Sequence, residues 1–168
     1  KKGFDESKKD GGMLKDIPIQ IAFISKLRRA KQTLEEILKV LNIKHIPIYE
    51  AESLNERDYG DFTGKNKFDL EKKYGTEQFL KWRRGWDESI PNGETLKDVY
   101  NRVVPYYKEH ILPKLQAGKN VLTVAHGNSL RALIKYLENI SDKDISDFEM
   151  QTGDVFLYEI DKEGKWRS

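Results

Sequence analysis

The sequence predicts an α/β fold, a three-layer α/β/α sandwich around a mostly parallel sheet. Two observations predict it. Short β-rich apolar runs alternate along the chain with stretches of helical period, with no repeats and no low-complexity linkers between them. In addition, the run at 120–125 hands over to a helix through His126-Gly127-Asn128, at the kind of junction where open α/β sheets bind ligands. A chain of 168 residues suits one domain with a real core, so residues 1–168 are read as a single domain.

Taken in order, residues Phe4 to Leu14 look helical but are interrupted by Gly11 and Gly12. Ile17 to Ile24 is apolar and β-rich, with Pro18 near its start, and reads as a strand. Ser25 is then placed to cap a helix running to about Leu41, with Leu27, Ala30, Leu34, Ile37, Leu38 and Leu41 along one stripe. Ile46 to Tyr49 reads as a short strand containing Pro47. From Ser53 to Gly64 no period holds and turn residues dominate. Helices are expected over 66–74 and 77–84. Pro91-Asn92-Gly93 is a turn into a long helix over 94–115, apolar at Leu96, Val99, Val103, Tyr107 and Ile111, with a kink expected at Pro105. The strand at 120–125 is followed by a helix with Leu130, Leu133, Ile134 and Leu137 on one face, capped by Asn128 or Ser129. Val155 to Ile160 reads as a last strand.

Composition narrows the function. A net charge of +2 gives no general attraction to nucleic acid or to a membrane surface. The absence of cysteine excludes disulfides and thiolate metal sites, and three histidines spread along the chain do not make a zinc site, so no metal is expected. No apolar run approaches a bilayer span and no signal-peptide pattern opens the chain. A cytoplasmic location, with neither nucleic-acid nor membrane partner, is the expectation.

Three segments carry candidate chemistry. His126 sits where a buried strand meets a helix N-terminus, whose free N–H groups and dipole attract anions, phosphate above all; a strand-end histidine bonded to nearby backbone fits the same pattern. The loop Ser53-Leu-Asn-Glu-Arg-Asp-Tyr-Gly60 gathers Glu56, Arg57, Asp58 and Tyr59. A carboxylate there, near a histidine and shielded from water, can act as general acid and base, while a solvated loop with locally paired charges is the plainer alternative. In Lys81-Trp-Arg-Arg-Gly-Trp86, Arg83 and Arg84 between tryptophans can clamp a phosphate or carboxylate, with the indoles closing the pocket. Arg29 and Lys67 are further single cations, for which surface charge is the default.

Together these pieces resemble the cofactor-dependent phosphoglycerate mutases of the histidine phosphatase superfamily. The matching segments are Ile24-Ser-Lys-Leu-Arg-Arg-Ala30, Leu54-Asn-Glu-Arg-Asp-Tyr-Gly60, Gly64-Lys-Asn-Lys67, Trp82-Arg-Arg84, Gly93-Glu-Thr-Leu96, Ala125-His-Gly-Asn-Ser-Leu-Arg131 and Thr152-Gly153. They fall in the family's order, and the stretch from Lys2 to Lys15 is similar to its first helix. The resemblance implies interconversion of 3-phosphoglycerate and 2-phosphoglycerate in glycolysis and gluconeogenesis, through a phosphohistidine and 2,3-bisphosphoglycerate as primer, without metal. It implies that His126 supports the transferring phosphoryl group and that Glu56 shuttles the substrate's hydroxyl proton. Arg29, Arg57, Asp58, Tyr59, Lys67, Arg83, Arg84, Gly127 and Asn128 are the implied substrate contacts. A homodimer or homotetramer is implied by the family's habit.

The sequence also departs from the family. The family's nucleophilic histidine lies in a first strand ending Arg-His-Gly, followed by a phosphate loop; this chain starts at the helix after that loop, and neither His45 nor His110 has the required setting. The expectation is a piece of a longer protein, since a parallel sheet rarely tolerates loss of a central strand. Asp58, Asp61 and Lys65 are not the family's usual residues, and the connection from Asp87 to Gly93 is short. A phosphatase of the same superfamily and a non-catalytic phospho-ligand-binding protein are the two alternative functions.

Overall fold

The run Ile21-Ala-Phe-Ile-Ser25 contains no charge and is buried along its whole length, as a strand must be when both faces of its sheet are covered. In the computed structural model, which describes residues 14–167, it forms β1, the centre of a parallel three-stranded sheet. On one side Ala22 to Ser25 pair with β2 (Ile48–Ala51); on the other Ile21 to Ile24 pair with β3 (Val121–Val124), giving the order β2-β1-β3. Parallel neighbours need crossovers, and helices supply them. Helix α1 (Arg28–Val40) joins β1 to β2. Between β2 and β3 lie α2 (Lys67–Tyr74), α3 (Thr76–Arg84), α4 (Leu96–Tyr106) and α5 (Leu112–Gln116), and α6 (Gly127–Leu137) follows β3.

The period of two along β1 divides the core between two layers. Ala22 and Ile24 face α1, packing with Ala30, Leu34, Ile37 and Val124. Ile21 and Phe23 face the other way, into Val99 and Val103 of α4 and Ala132 and Leu133 of α6. This is the expected α/β/α sandwich. Local signals start its helices: the Asn66 side chain accepts from the amides of Phe68 and Asp69 at α2, and Thr95 and Asp98 form a reciprocal capping box at α4.

Several boundaries differ from expectation. Ile17 to Gln20 is not strand: Pro18 has no amide to offer, the Ile17 N–H closes a turn on the Leu14 carbonyl, and pairing begins with the Gln20 N–H on Asn120. Ser25 does not cap α1; it ends β1, and Leu27 occupies the cap position without a side-chain bond. Neither Asn128 nor Ser129 caps α6. His126 holds the cap position, and Ser129, in the first turn, takes the His126 N–H on its hydroxyl at 3.0 Å. The long helix from 94 widens into a π turn at Tyr107–Ile111, one turn beyond Pro105. Pro113 explains the position, because its ring crowds the carbonyl four residues back, at Glu109, and a wider turn gives it room. Finally, Val155 to Ile160 does not join the main sheet. Only Glu159–Ile160 is strand (β4), paired antiparallel with Trp166–Arg167 (β5) across a tight turn in which the Asp161 carboxylate takes the Glu163 and Lys165 amides. The helix expected from Phe4 lies, except for Leu14, outside the described residues.

Leu96 is fully buried at the start of α4 and Phe68 on α2 is 81% exposed. Truncating Leu96 to alanine is expected to lower unfolding stability by about 2–5 kcal/mol in a urea titration, and truncating Phe68 to change it by less than about 0.5 kcal/mol. Equal effects would contradict the assigned core.

Candidate active site

A cleft of about 1240 Å³ opens at the carboxyl ends of β1 and β3 and continues along the outer side of β3. At its head the chain passes from β3 through His126, which is extended (φ −132°, ψ 165°), into α6. The ring of His126 is largely buried, and its Nε2 lies 2.7 Å from Oγ of Ser25, the fully buried last residue of β1. Burial pushes the His126 pKa below the ordinary histidine value; Glu56 opposes this, while Arg29 and Arg102 add to it. The neutral ring is thus favoured at physiological pH.

Glu56 reaches the same helix end. One carboxylate oxygen accepts from the Arg57 amide at 2.8 Å and from the Asn128 amide at 3.2 Å, so the orphan donors of α6 already hold a negative group beside His126. The Asn128 amide nitrogen donates to the Tyr59 hydroxyl at 2.7 Å, and its oxygen accepts from Arg131 at 3.2 Å. Arg29, from the first turn of α1, and Lys67, at the start of α2, line the cleft with Arg83 and Arg84 from the end of α3. These four cations surround the cleft, and anions are the ligands they suit.

Of the implied substrate contacts, Arg29, Tyr59, Lys67, Arg83, Arg84, Gly127 and Asn128 line the cleft, as do Glu56 and His126. Arg57 and Asp58 do not. The Arg57 guanidinium is buried and donates to the carbonyls of Trp82 and Glu94, each at 2.6 Å. The Asp58 carboxylate turns back onto the Gly60 amide at 2.8 Å. The expectation of two indoles closing the pocket holds for one of them. Trp82 lines the cleft, whereas Trp86 is packed against Tyr100, with the Lys135 ammonium 4.3 Å from its ring. Arg84 forms an ion pair with Glu149, which also lines the cleft.

The loop that carries Glu56 owes its shape to residues that sequence reasoning did not single out. Arg102, on α4, spends all five of its N–H donors there. Nη1 donates to the carbonyls of Ser53 and Asn55, at 2.7 and 3.0 Å; Nη2 donates to the carbonyl of Glu56 at 3.2 Å; Nε and Nη2 fork onto the Glu94 carboxylate at 2.8 and 2.9 Å. Glu94 in turn accepts the Asp58 amide at 2.9 Å. Burial disfavours the ionised Glu94, but the bonds from Arg102 and the Asp58 amide outweigh it and hold its carboxyl below the usual carboxylate range. Arg131, buried, ties the carbonyls of Arg84, Ile145 and Phe148 together, at 2.9, 2.7 and 3.0 Å. Gly60, at φ +53°, lets the loop cross the 91–93 turn so closely that a Cβ there would meet the Pro91 oxygen at 2.2 Å. Among the described residues, no group of three or more His, Cys, Asp or Glu side chains could hold a metal ion, and no helix is long and apolar enough to cross a membrane.

A family model of the histidine phosphatase superfamily (branch 1) matches residues 1–167. The chain belongs to this superfamily. It is 48% identical over 158 residues to the 2,3-bisphosphoglycerate-dependent phosphoglycerate mutase of Cytophaga hutchinsonii, covering 94% of this chain and 74% of that protein. It is 46% identical over 168 residues to the phosphoglycerate mutase of Schizosaccharomyces pombe, covering 99% and 80%. Sequence therefore puts it in the bisphosphoglycerate-dependent mutase family. Among solved structures, YhfR of Bacillus stearothermophilus is 25% identical, with a TM-score of 0.84 over 99% of this chain and 80% of its own. The alpha-ribazole phosphatase of Shigella flexneri is also 25% identical, with a TM-score of 0.71 over 90% and 73%. The superfamily histidine phosphatase fold thus agrees with the sandwich and the parallel sheet.

His126 is expected to titrate below the ordinary histidine range in a ¹⁵N-resolved NMR titration. Glu56→Gln, which removes the opposing charge, should lower it further, and Arg29→Gln should raise it. A folded-state value below the unfolded one means that the unfolded chain binds this proton first. The contribution of His126 to stability is therefore complete above the unfolded-state value of about 6.5 and declines as the pH falls below it. An upward shift on Glu56→Gln would contradict the arrangement.

Proposed function

We propose that this protein transfers a phosphoryl group between the hydroxyls of a three-carbon phospho-acid, interconverting 3-phosphoglycerate and 2-phosphoglycerate. One observation carries the reading: the Glu56 carboxylate sits on the α6 N-terminus beside His126, inside a rim of Arg29, Lys67, Arg83 and Arg84. The identity to phosphoglycerate mutases supports the substrate class.

In this reading the cations and the Tyr59 hydroxyl hold the substrate's phosphate and carboxylate. The neutral His126, at the α6 N-terminus, meets the charge that develops on the equatorial phosphoryl oxygens, so no metal is called for. Glu56 accepts the proton of the attacking substrate hydroxyl as the bond from phosphorus to the carrier histidine breaks. It returns that proton to the substrate oxygen released when the second phosphoryl group moves to the histidine. 2,3-Bisphosphoglycerate supplies the phosphoryl group that first charges the histidine, and the donor set suits its anionic groups.

The carrier is none of the three histidines in this sequence. His126 is the supporting group, His45 is exposed before β2, and His110 is exposed on the π turn against Tyr106. We place the carrier on a strand seated along β3. β3 is an edge of the described sheet, its first three residues are half-buried, and the cleft runs beside it to an apolar wall of Val155, Phe156 and Leu157. A phosphatase reading, with water in place of the second hydroxyl, is favoured by the likeness to the Shigella flexneri phosphatase, but at half the identity of the mutases.

Turnover of 3-phosphoglycerate is expected to require priming by 2,3-bisphosphoglycerate and to yield 2-phosphoglycerate. Release of inorganic phosphate instead would establish the phosphatase. Glu56→Gln is expected to lower kcat by ~10²–10⁴-fold while largely sparing inorganic phosphate binding. Equal loss of both would remove Glu56 from its role, and a phosphohistidine mapped to His126 by mass spectrometry would overturn the assignment of carrier and support.

A further inference from the structure

We propose that Arg131 is a positioning residue that sets the direction of a hydrogen-bond chain, from Arg131 through Asn128 to Tyr59, so that the Tyr59 hydroxyl donates its proton to an anionic oxygen in the cleft. The direction follows from the buried end of the chain. Arg131 and Asn128 are only 6% and 7% exposed. A guanidinium carries donors and no acceptor. Arg131 gives Nη2 to the carbonyls of Arg84 and Ile145, at 2.9 and 2.7 Å, and Nε to that of Phe148 at 3.0 Å, so its head has one orientation. Nη1 is left facing the Asn128 carboxamide at 3.2 Å. The carboxamide must meet it with oxygen. Its nitrogen would set two buried donors against each other, a cost that biases the two orientations by ~10-fold or more.

The Asn128 amide nitrogen is therefore turned toward Tyr59, 2.7 Å from the hydroxyl. An amide N–H only donates, so the phenol oxygen accepts and its own proton points elsewhere. Among the described residues that hydroxyl has no other hydrogen-bond partner, and Tyr59 lines the cleft. Its ring is held by the Arg57 guanidinium, 5.3 Å from the ring centroid and itself fixed on two carbonyls. A carboxylate in the place of the Asn128 amide would take the phenolic proton, and Tyr59 would then offer the cleft only lone pairs. As built, the chain ends in a donor, which suits ligand groups that only accept: phosphate and carboxylate oxygens. That the anion is a three-carbon phospho-acid rests on the reading given above; the direction of the chain does not.

Two measurements on the protein test this. The first is a ¹⁵N–¹H spectrum of the Asn128 side-chain amide. In Tyr59→Phe one of its two amide protons is expected to move upfield, having lost its acceptor, while the Arg131 guanidinium signals stay in place. The reversed carboxamide has no amide proton on Tyr59 to lose, so an unmoved pair would overturn the proposal. Arg131→Gln, which offers an oxygen as readily as an amide, should give two Asn128 environments or the reversed one. An unchanged Asn128 amide in a folded Arg131→Gln would remove Arg131 as the cause, and the Tyr59→Phe arm decides the direction even where that variant does not fold. The second measurement is a calorimetric titration with inorganic phosphate, in which Tyr59→Phe should weaken binding ~10-fold. Asn128→Asp keeps an oxygen for Arg131 but puts a second acceptor against Tyr59, so in that background Tyr59→Phe should cost less than ~2-fold. Equal losses in the two backgrounds, or none in the first, would also overturn it. Tyr59→Phe should raise KM for 3-phosphoglycerate with kcat little changed. If phosphate binding follows Tyr59 while 3-phosphoglycerate is not turned over by the unmodified protein, the mutase reading fails and the direction of the chain stands.

Discussion

The fork between Arg102 and Glu94 is the interaction on which the site depends most. Residues 53–58 have neither a continuing helix nor a strand ladder to satisfy their backbone, and they lie partly out of water, so their carbonyls must find donors elsewhere. One guanidinium from α4 meets three of them and takes the Glu94 carboxylate on its remaining edge, while that carboxylate takes the Asp58 amide. An ion pair of this kind is modest as a source of net stability, because desolvation offsets most of the Coulombic gain. Its value is geometric. A planar fork with every donor engaged has one orientation, and the Glu56 backbone inherits it.

The same device recurs on either side. Arg57 joins the end of α3 to the turn before α4, and Arg131 joins the end of α3 to the segment at 145–148. Three arginines with buried or half-buried heads thus act as internal staples, leaving Arg29, Lys67, Arg83 and Arg84 at the cleft. This division of labour answers a problem common to anion sites. Cations clustered to attract a phosphate repel one another, and loops bearing them need a framework that does not rely on the ligand. Here the framework's positive heads end on carbonyls and one carboxylate, and the attracting ones face the open cleft.

What could be read from sequence follows this division. β1 and α1 announce themselves through local period, and the junction at His126 through the change of period from two to 3.6. Glu56 was legible only through its motif, since its helix partner Asn128 lies 72 residues away. Arg57 misled for the opposite reason. It stands in the same motif, yet its destination is set by carbonyls 25 and 37 residues along the chain, which no local pattern encodes. Ser25 reads as a helix cap because serine before a helical period usually is one. Its partner is a histidine 101 residues away, brought alongside only by the parallel pairing of β1 with β3. Val155 to Ile160 has the composition of a strand, but the nearest partner it finds is the chain just beyond its own turn.

The pairing of Arg84 with Glu149 fits a site of this kind, although it engages one of the cleft's cations. Both side chains are about half exposed, at 42% and 53%, so the pair is well screened and worth about 0–1 kcal/mol. A phosphate or carboxylate entering the cleft displaces Glu149 at correspondingly small cost. The ion pairs that would be costly to break, those of Arg102, are the ones that hold the loop. Exposure therefore sorts the charges: the weakly held cation faces the open cleft, and the firmly held one keeps Glu56, the proposed proton acceptor, in place.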